Sequence, residues 1–216
     1  MEIYVSIDGV LRNIIQKFDY HYNDFFINSE FIDENSFEYG KVEPVQNDNL
    51  LEYYKFQSKE EFENFLFIEY PIEIFGHAGL SYFNTFTELN KLIYENKEHN
   101  FTLIGLDELG KSKPGTLFFL SKNGCLCSNI KFIYTDDIEK EWNKCDLWIT
   151  DNKNIIDKCP SDKSSIKFNT TYNEYFKHNK EISKLSEIQE IWLKSSENTT
   201  TSMSMELLKN VEQVTQ

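Results

Sequence analysis

The stretch EIYVSIDGVLRN, from Glu2 to Asn13, sets the first expectation for the fold. It opens with a β-branched and aromatic apolar run, and Asp8-Gly9 then supplies a turn. A short apolar run that ends at turn residues is typical of a strand buried on both faces of a sheet. The stretch therefore predicts the first strand of a parallel sheet.

Four later runs repeat this pattern, namely FTLIGL (101–106), IKFIYT (130–135), DLWIT (146–150) and SIKFN (165–169). Helix-like stretches lie between them. One places Phe86, Leu89 and Leu92 on one face with Thr85 or Thr87 as its cap, and another has Pro114 near its start and Gly124 past its end. Strands that alternate with helices predict an α/β fold with a parallel five-stranded sheet flanked by helices.

Residues 14–82 interrupt the alternation, and we call them the insertion. This segment is acidic and rich in aromatic residues, with a cluster over Phe18–Phe31 that favours packing or an interface. Ser58 and Glu61 have the spacing of a capping box, so the second half is predicted to be helical. We interpret the insertion as a cap or a docking element within a domain of residues 1–195.

The C-terminal part has its own pattern. Ile182, Leu185, Ile188, Ile191 and Trp192 recur near helical spacing, which predicts a helix. Residues 196–216 form a predicted extension, in which a Ser/Thr-rich linker precedes the amphipathic piece MELLKNVEQV. Such a tail would rest on the domain itself or on another chain.

Composition excludes several classes of function. The net charge of −14 disfavours binding to nucleic acid or to anionic lipid. No apolar run is long enough to span a membrane, and no signal peptide is recognisable, so we expect a cytoplasmic or virion protein. The four cysteines, Cys125, Cys127, Cys145 and Cys159, favour free thiols in a reducing compartment over a zinc site.

Three stretches together carry a resemblance to a known family. IYVSIDGVLRN resembles motif I of the haloacid dehalogenase (HAD)-like superfamily. KEWNKCDLWITDNKNII resembles the third and fourth motifs of its 5′(3′)-deoxyribonucleotidase branch, and SIKFNTTYNEYF resembles that branch's ending, where a strand leads to Tyr-Asn. The resemblance implies a Rossmannoid sheet with a cap inserted after the first strand.

The same resemblance implies a phosphate site, and this chain departs from it. In the family a first Asp attacks phosphorus, a second Asp acts as acid and base, and a Lys with a Ser or Thr holds the phosphoryl oxygens. Paired acids complete a Mg²⁺ site. Here the corresponding positions are Ser6, Asp8, Lys140, Thr150 and Asp151. The Ser or Thr that ends the second strand is replaced by Gly105 or Leu106.

The retained residues also have simpler interpretations. Asp8 would cap the turn after the first strand, Lys140 would be a solvated helix residue, and Asp146 would be a turn residue before a strand. Asp136-Asp137 is typical of a helix start, and His77 of a loop.

Three functional hypotheses follow. The first is a catalytically inactive HAD-fold protein without a cofactor, which contacts other protein chains through the insertion and the C-terminal tail. Its Asn, Lys, Ile, Tyr and Phe usage is typical of AT-rich genomes, so a bacteriophage virion component, in the tail or at the portal vertex, is one expected setting. The alternative is a Mg²⁺-dependent 5′-nucleotidase or phosphatase that uses Asp8, Lys140 and Asp151. The third is a protein that binds a nucleotide without cleaving it.

Overall fold

The computed structural model describes residues 1–28, 37–43, 45, 49–107 and 110–191. The predicted extension 196–216 and Trp192 lie outside these residues, as does the end of the Phe18–Phe31 cluster. Among the described residues, none of the helices combines the length and the apolar character needed to cross a bilayer.

A six-stranded parallel sheet forms the centre of the molecule. Its strands are β1 (Glu2–Ser6), β4 (Asn100–Leu106), β5 (Ile130–Ile133), β6 (Leu147–Thr150), β7 (Ser164–Phe168) and β8 (Glu181–Ile182). They are arranged in the order β5-β4-β1-β6-β7-β8. The α/β fold and the parallel sheet are thus confirmed, and so are the five predicted strands.

The predicted total of five strands is one too few, and the prediction of a helix through Ile182 is wrong. Glu181 and Ile182 form β8, which pairs in parallel with Lys167 and Phe168 of β7. The chain then makes a 3₁₀ turn over Leu185–Glu187 and becomes helical only from residue 188. Apolar residues three or four apart indicate a helix only when the backbone between them is helical, and here a strand and a turn place them on the same core.

Helices cover both faces of the sheet, and the side chains of β1 alternate between the two cores that these helices form with it. Ile3 and Val5 pack with α3 (Thr85–Glu95) and α4 (Lys113–Lys122). Tyr4 packs on the opposite face, among residues of α5 (Ile138–Trp142) and α6 (Lys153–Asp157). This period of two is the side-chain geometry of a strand with a core on each side.

The residues predicted to mark the two ends of α4 are confirmed, whereas the predicted cap of α3 is not. Pro114 lies in the first turn of α4, and Gly124, just beyond its end, has a φ of +68°. The prediction of Thr85 or Thr87 as the cap of α3 is wrong, because both lie within the helix and Asn84 precedes it. The Thr85 hydroxyl donates instead to the Tyr82 carbonyl, 2.6 Å away.

The insertion leaves the sheet through a short antiparallel ribbon. Strand β2 (Arg12–Asn13) pairs with β3 (Gly79–Leu80), and the chain between them contains α1 (Ile15–Tyr22) and α2 (Lys59–Asn64). Ser58 caps α2 by accepting a hydrogen bond from the Glu61 N–H at 3.1 Å, as the capping-box spacing predicts. Two π-helical turns, over Asn23–Ile27 and Phe65–Glu69, extend α1 and α2, and a third covers Ile72–Gly76.

The insertion has a hydrophobic core of its own, built largely from aromatic rings. Its buried members are Phe18, Tyr22, Phe26, Leu50, Tyr53, Tyr54, Phe65, Leu66, Ile74 and Phe75. Phe18 makes edge-to-face contacts with Tyr54 at 4.7 Å and with Phe65 at 5.3 Å between ring centroids. Such pairs stabilise beyond the area that they bury, so a short segment can fold around them.

Arg12 joins the insertion to the sheet. Its side chain is 1% exposed, and its guanidinium forms a bidentate pair with Asp8, with distances of 2.6 and 3.1 Å. The remaining Nη1 donates to the Phe75 carbonyl at 2.9 Å, and the guanidinium lies over the Phe75 and Phe119 rings. One side chain therefore links the turn after β1, the insertion and α4.

We predict that Arg12→Met lowers the free energy of unfolding by about 3 kcal/mol, because it leaves a carboxylate and a carbonyl without their donor. This loss is at the lower end of the range for breaking a buried ion pair, because Asp8 is one-third exposed and water can solvate it. Urea denaturation measures the change. Lys140→Met removes an exposed cation from another ion pair and is the control, with an expected change much smaller than that of Arg12→Met. Equal effects of the two substitutions would contradict the role of Arg12.

Candidate functional site

The carboxyl ends of β1 and β6 meet at the centre of the sheet. Numbered along the chain, the six strands have the order 3-2-1-4-5-6, so the winding of the sheet reverses between β1 and β6. Ligands of open α/β sheets bind in the crevice at such a reversal. Ser6 ends β1 and Asp8 follows two residues later, while Thr150 ends β6 and Asp151 follows directly. The structure therefore brings four of the five sequence-predicted site residues together.

The cavity at this place is small. Its volume is about 40 Å³, and its polar lining comprises Ser6, Asp8, Gly9, Asp151, Asn152 and Tyr172. That volume is enough for a few water molecules, whereas pockets for organic ligands usually enclose about 300 Å³ or more. A nucleotide does not fit in this cavity as the chain is folded.

The Ser6 hydroxyl is held by two neighbours. It donates to Thr150 Oγ1 at 2.8 Å and accepts from Trp148 Nε1 at 3.1 Å, and the residue is only 7% exposed. Thr150 Oγ1 in turn accepts the N–H of Asn152 at 3.2 Å. A serine attacks phosphorus only when a base removes its proton. The proton of Ser6 is directed at another hydroxyl, which is not a base, so this arrangement does not activate it.

Asp8 is engaged by the Arg12 guanidinium on both carboxylate oxygens. In the family that the sequence resembles, the corresponding carboxylate would exchange a proton with a leaving group. Here both of its oxygens already accept hydrogen bonds from the guanidinium. Sequence reasoning missed Arg12, although the spacing of four residues between Asp8 and Arg12 in the opening stretch could have indicated the pair.

Asp151 is also bonded within the chain. Its Oδ2 accepts the Tyr172 hydroxyl at 2.5 Å, and its backbone carbonyl accepts from Asn173 Nδ2 at 3.1 Å. Asn173 donates as well to the Phe168 carbonyl at 2.8 Å, so it fastens the loop after β7 to the end of that strand. The Tyr-Asn pair noted in the sequence thus has a structural role here.

The helix N-terminus after β4 is occupied by Asp107. Its carboxylate accepts the backbone N–H groups of Lys111, Ser112 and Lys113 at 3.1 to 3.2 Å, and the residue is buried. Backbone N–H groups at the start of a helix bind anions such as phosphate. At the start of α4 the chain supplies this anion itself. Sequence reasoning had considered only Gly105 and Leu106 at the end of β4.

Lys140 is not brought to the cavity. Its side chain is 73% exposed on α5, and it pairs with Asp137 at 2.6 Å. That hydrogen bond and the Asp137 charge raise the pKa of Lys140. Asp146 lies at the opposite, amino end of β6, where it accepts the Glu2 N–H at 2.9 Å. His77 contacts Lys122 and the Phe118 ring. These residues have the structural roles that the simpler interpretations gave them.

The residues at the cavity do not fit a magnesium site. Mg²⁺ requires six oxygen ligands in octahedral geometry, with carboxylates that are free to turn toward it. Asp8 is bound by Arg12, Asp151 by Tyr172, and the Thr150 hydroxyl by Ser6 and Asn152. Within the described part of the chain, no group of three or more His, Cys, Asp or Glu side chains is gathered closely enough to hold a metal.

The four cysteines are free thiols in the structure. Burial raises the pKa of Cys125 to about 11 and that of Cys145 to about 12, and it also raises those of Cys127 and Cys159. These thiols therefore stay protonated near neutral pH, and a protonated thiol is a poor nucleophile and a poor metal ligand.

A larger cleft opens beside the small cavity, at the ends of β7 and β8. It has a volume of about 530 Å³ and shares Gly9 and Tyr172 with the cavity. Its charged lining residues are Lys167, Glu174 and Lys177. Lys167 is internally satisfied, because its ammonium donates to the Phe176 carbonyl at 2.7 Å and pairs with Glu181 at 3.5 Å.

Comparison of the chain with models of known protein families gives no match, and comparison with curated proteins gives none either. The resemblance to the HAD-like superfamily therefore rests on the quoted sequence motifs.

We predict that Gly9→Ala is far more damaging than Gly124→Ala. Both glycines have a positive φ, of +77° and +68°, so each substitution carries a backbone cost of about 1–2 kcal/mol. A Cβ at Gly9 would also lie 1.9 to 2.3 Å from the Asp151 carboxylate atoms, whereas one at Gly124 meets nothing within 4 Å. We expect a total loss of about 3–5 kcal/mol for Gly9→Ala. Urea denaturation of both variants measures the two losses. Similar losses would contradict the prediction, because they would show that the Asp151 side chain moves away from the added Cβ.

Proposed function

We propose that this chain is a catalytically inactive protein of the HAD-like fold that serves as a structural or interaction module in a larger assembly. The observation that carries the proposal is that the polar groups at the ends of β1 and β6 are bonded to one another within the chain. Ser6 is bonded to Thr150 and Trp148, Asp8 to Arg12, and Asp151 to Tyr172.

Three features of phosphoryl transfer are missing at this place. The residue at the attacking position is an uncharged hydroxyl without a base, and the anion site at the start of α4 is filled by Asp107. The charged side chains that line the cavity are the acids Asp8 and Asp151, with no lysine or arginine among the lining residues. A phosphate monoester would meet the Asp151 carboxylate in a space too small for it.

The insertion supports the second half of the proposal. Of the sixteen large apolar side chains that are well exposed in the described part of the chain, eight belong to the insertion. They are Tyr20, Phe25, Ile27, Phe37, Val42, Leu51, Ile68 and Ile72. Protein interfaces are enriched in aromatic side chains at such exposed positions. A bacteriophage particle is the assembly that we propose, and its support is the amino-acid usage of the chain.

The 530 Å³ cleft favours one second candidate, a protein that binds a nucleotide or another small polar ligand without cleaving it. The cleft has the volume of an ordinary ligand pocket, and Lys177 is a cation in its lining. A ligand that binds only the folded state raises the melting temperature, so a panel of deoxynucleoside monophosphates tests this candidate.

We predict that the purified protein releases no phosphate from deoxynucleoside monophosphates in Mg²⁺, and that Ser6→Asp does not create this activity. A carboxylate at position 6 would lie near Asp8 and Asp151, without a lysine or arginine among the lining residues to offset the added charge. Asp8→Asn is the control for contaminating phosphatases, because contaminant activity is unchanged by it. Turnover that is abolished by Asp8→Asn, in a variant whose melting temperature shows that it is folded, would instead establish an active enzyme and overturn the proposal.

The mass of the native assembly tests the structural half. We expect a particle or complex larger than a single chain when the protein is isolated from its source. A monomer that binds no other chain would contradict this half, whatever the outcome of the phosphatase assay.

A further inference from the structure

The insertion contains a groove that combines an aromatic floor with an acidic rim, and we call it the acidic groove. It lies between the π turn Asn23–Ile27 and the helical segment formed by α2 and Phe65–Glu69, and its volume is about 330 Å³. Its lining consists of Phe25, Phe26, Ser58, Glu60, Glu61, Asn64, Phe65 and Glu69.

The floor of the groove presents apolar surface to solvent. Phe25 is 46% exposed, although its ring contacts Phe26 at 4.8 Å and Phe65 at 6.2 Å between centroids. Phe26 and Phe65 are themselves buried in the core of the insertion, so the floor is rigidly supported from below. A half-exposed ring on a rigid base gains hydrophobic free energy when a partner's apolar side chain covers it.

The rim carries charge of one sign. Glu60, Glu61 and Glu69 line the groove, and its lining includes no lysine or arginine. The Glu61 carboxylate is oriented by the Tyr39 hydroxyl and the Gln57 N–H, both at 2.6 Å, which are neutral donors and leave its charge in place. Glu60 and Glu69 are exposed. Carboxylates around an apolar floor are complementary to a segment that has both apolar and basic side chains.

The distribution of charge along the chain has the same sign. The insertion contains fourteen Asp and Glu against four Lys and no Arg, a net charge of −10 out of −14 for the whole chain. A field of this size accelerates association with a basic partner and opposes association with an acidic one.

We propose that the acidic groove binds a basic amphipathic segment of a partner protein, with an apolar side chain on Phe25 and Lys or Arg side chains against Glu60 and Glu69. This inference rests on the proposed role as an interaction module and specifies the partner of that module. The mode is that of an amphipathic helix in a groove.

Two other occupants fit the charge less well. A second copy of this chain would bring another insertion of net charge −10 to the same place. Residues 29–36 follow Asn28 directly and include two apolar residues, but they also carry Glu30, Asp33 and Glu34. Like charges placed against the rim raise the free energy of either complex.

The test uses the full chain and a labelled synthetic probe of about 18 residues, with leucine on one helical face and lysine on the other. A probe with serine in place of leucine and a probe with glutamate in place of lysine accompany it. Fluorescence anisotropy in about 0.15 M salt gives the dissociation constants, because this ionic strength screens distant charges.

The paired variants E60K/E69K and E98K/E139K separate the groove from the overall charge. Each pair changes the net charge by the same amount, all four glutamates are exposed, and Glu60 and Glu139 are both the second residue of a short helix. We expect binding of the leucine–lysine probe to weaken at least about tenfold in E60K/E69K and less than about twofold in E98K/E139K. Phe25→Ser should weaken it by a similar factor to E60K/E69K, with its melting temperature measured to confirm folding.

The other outcomes overturn the inference. Equal weakening in both charge pairs would mean that only net charge attracts the probe, and absence of binding would mean that the groove is closed, as by residues 29–36. Retained binding of the leucine-free probe would remove the role of the floor.

A dimer of the wild-type chain that Phe25→Ser dissociates would assign the groove to a second copy. None of these results requires phosphatase activity, so this inference can fail while the proposed lack of catalysis stands.

Discussion

The ion pair between Arg12 and Asp8 is the interaction on which the arrangement of the molecule depends. A guanidinium that is almost completely buried must be paired, and Asp8 and the Phe75 carbonyl supply that pairing. The pair fixes the turn after β1 and holds the insertion against the sheet. It also engages both carboxylate oxygens of Asp8, the acid that the motif retains. Stability of the scaffold and the proposed loss of a reactive carboxylate would therefore have the same physical origin.

The same principle applies along the carboxyl edge of the sheet. Asp107 at the start of α4, the Ser6–Thr150 pair and the Asp151–Tyr172 pair each satisfy polar groups that a catalytic site would leave open to a substrate. Enzymes commonly keep such groups under-satisfied at a cost in stability, because function needs them free. Here these groups are bonded within the chain, which favours stability over reactivity.

Sequence patterns predicted the sheet well, because strands buried on both faces are continuous apolar runs bounded by turn residues. The two-residue strand Glu181–Ile182 was missed, since a strand that short has no period of its own. The motif resemblance assigned Ser6, Asp8, Thr150 and Asp151 to one site, and the structure has them at strand ends that share one edge of the parallel sheet. The partners of these residues were not predictable, because they depend on side-chain directions that spacing does not encode.

Lys140 illustrates the limit of motif spacing. Its separation from Asp146 and Asp151 matches the family pattern, yet α5 is only five residues long and directs this side chain to solvent beside Asp137. The residues that hold the site, Arg12 and Asp107, lie outside the motif positions. A motif therefore located the edge of the sheet where the site lies, and the contacts around it determined what the site can do.

A crystal of the protein soaked in magnesium and beryllium fluoride, a mimic of the phosphoryl group, tests the loss of catalysis most directly. We expect the Asp8 carboxylate to remain in the Arg12 fork and the Ser6 hydroxyl to remain on Thr150, with no metal or fluoride between β1 and β6. A metal bound between Asp8 and Asp151, with Arg12 displaced and beryllium fluoride beside residue 6, would contradict the proposed loss of the reaction.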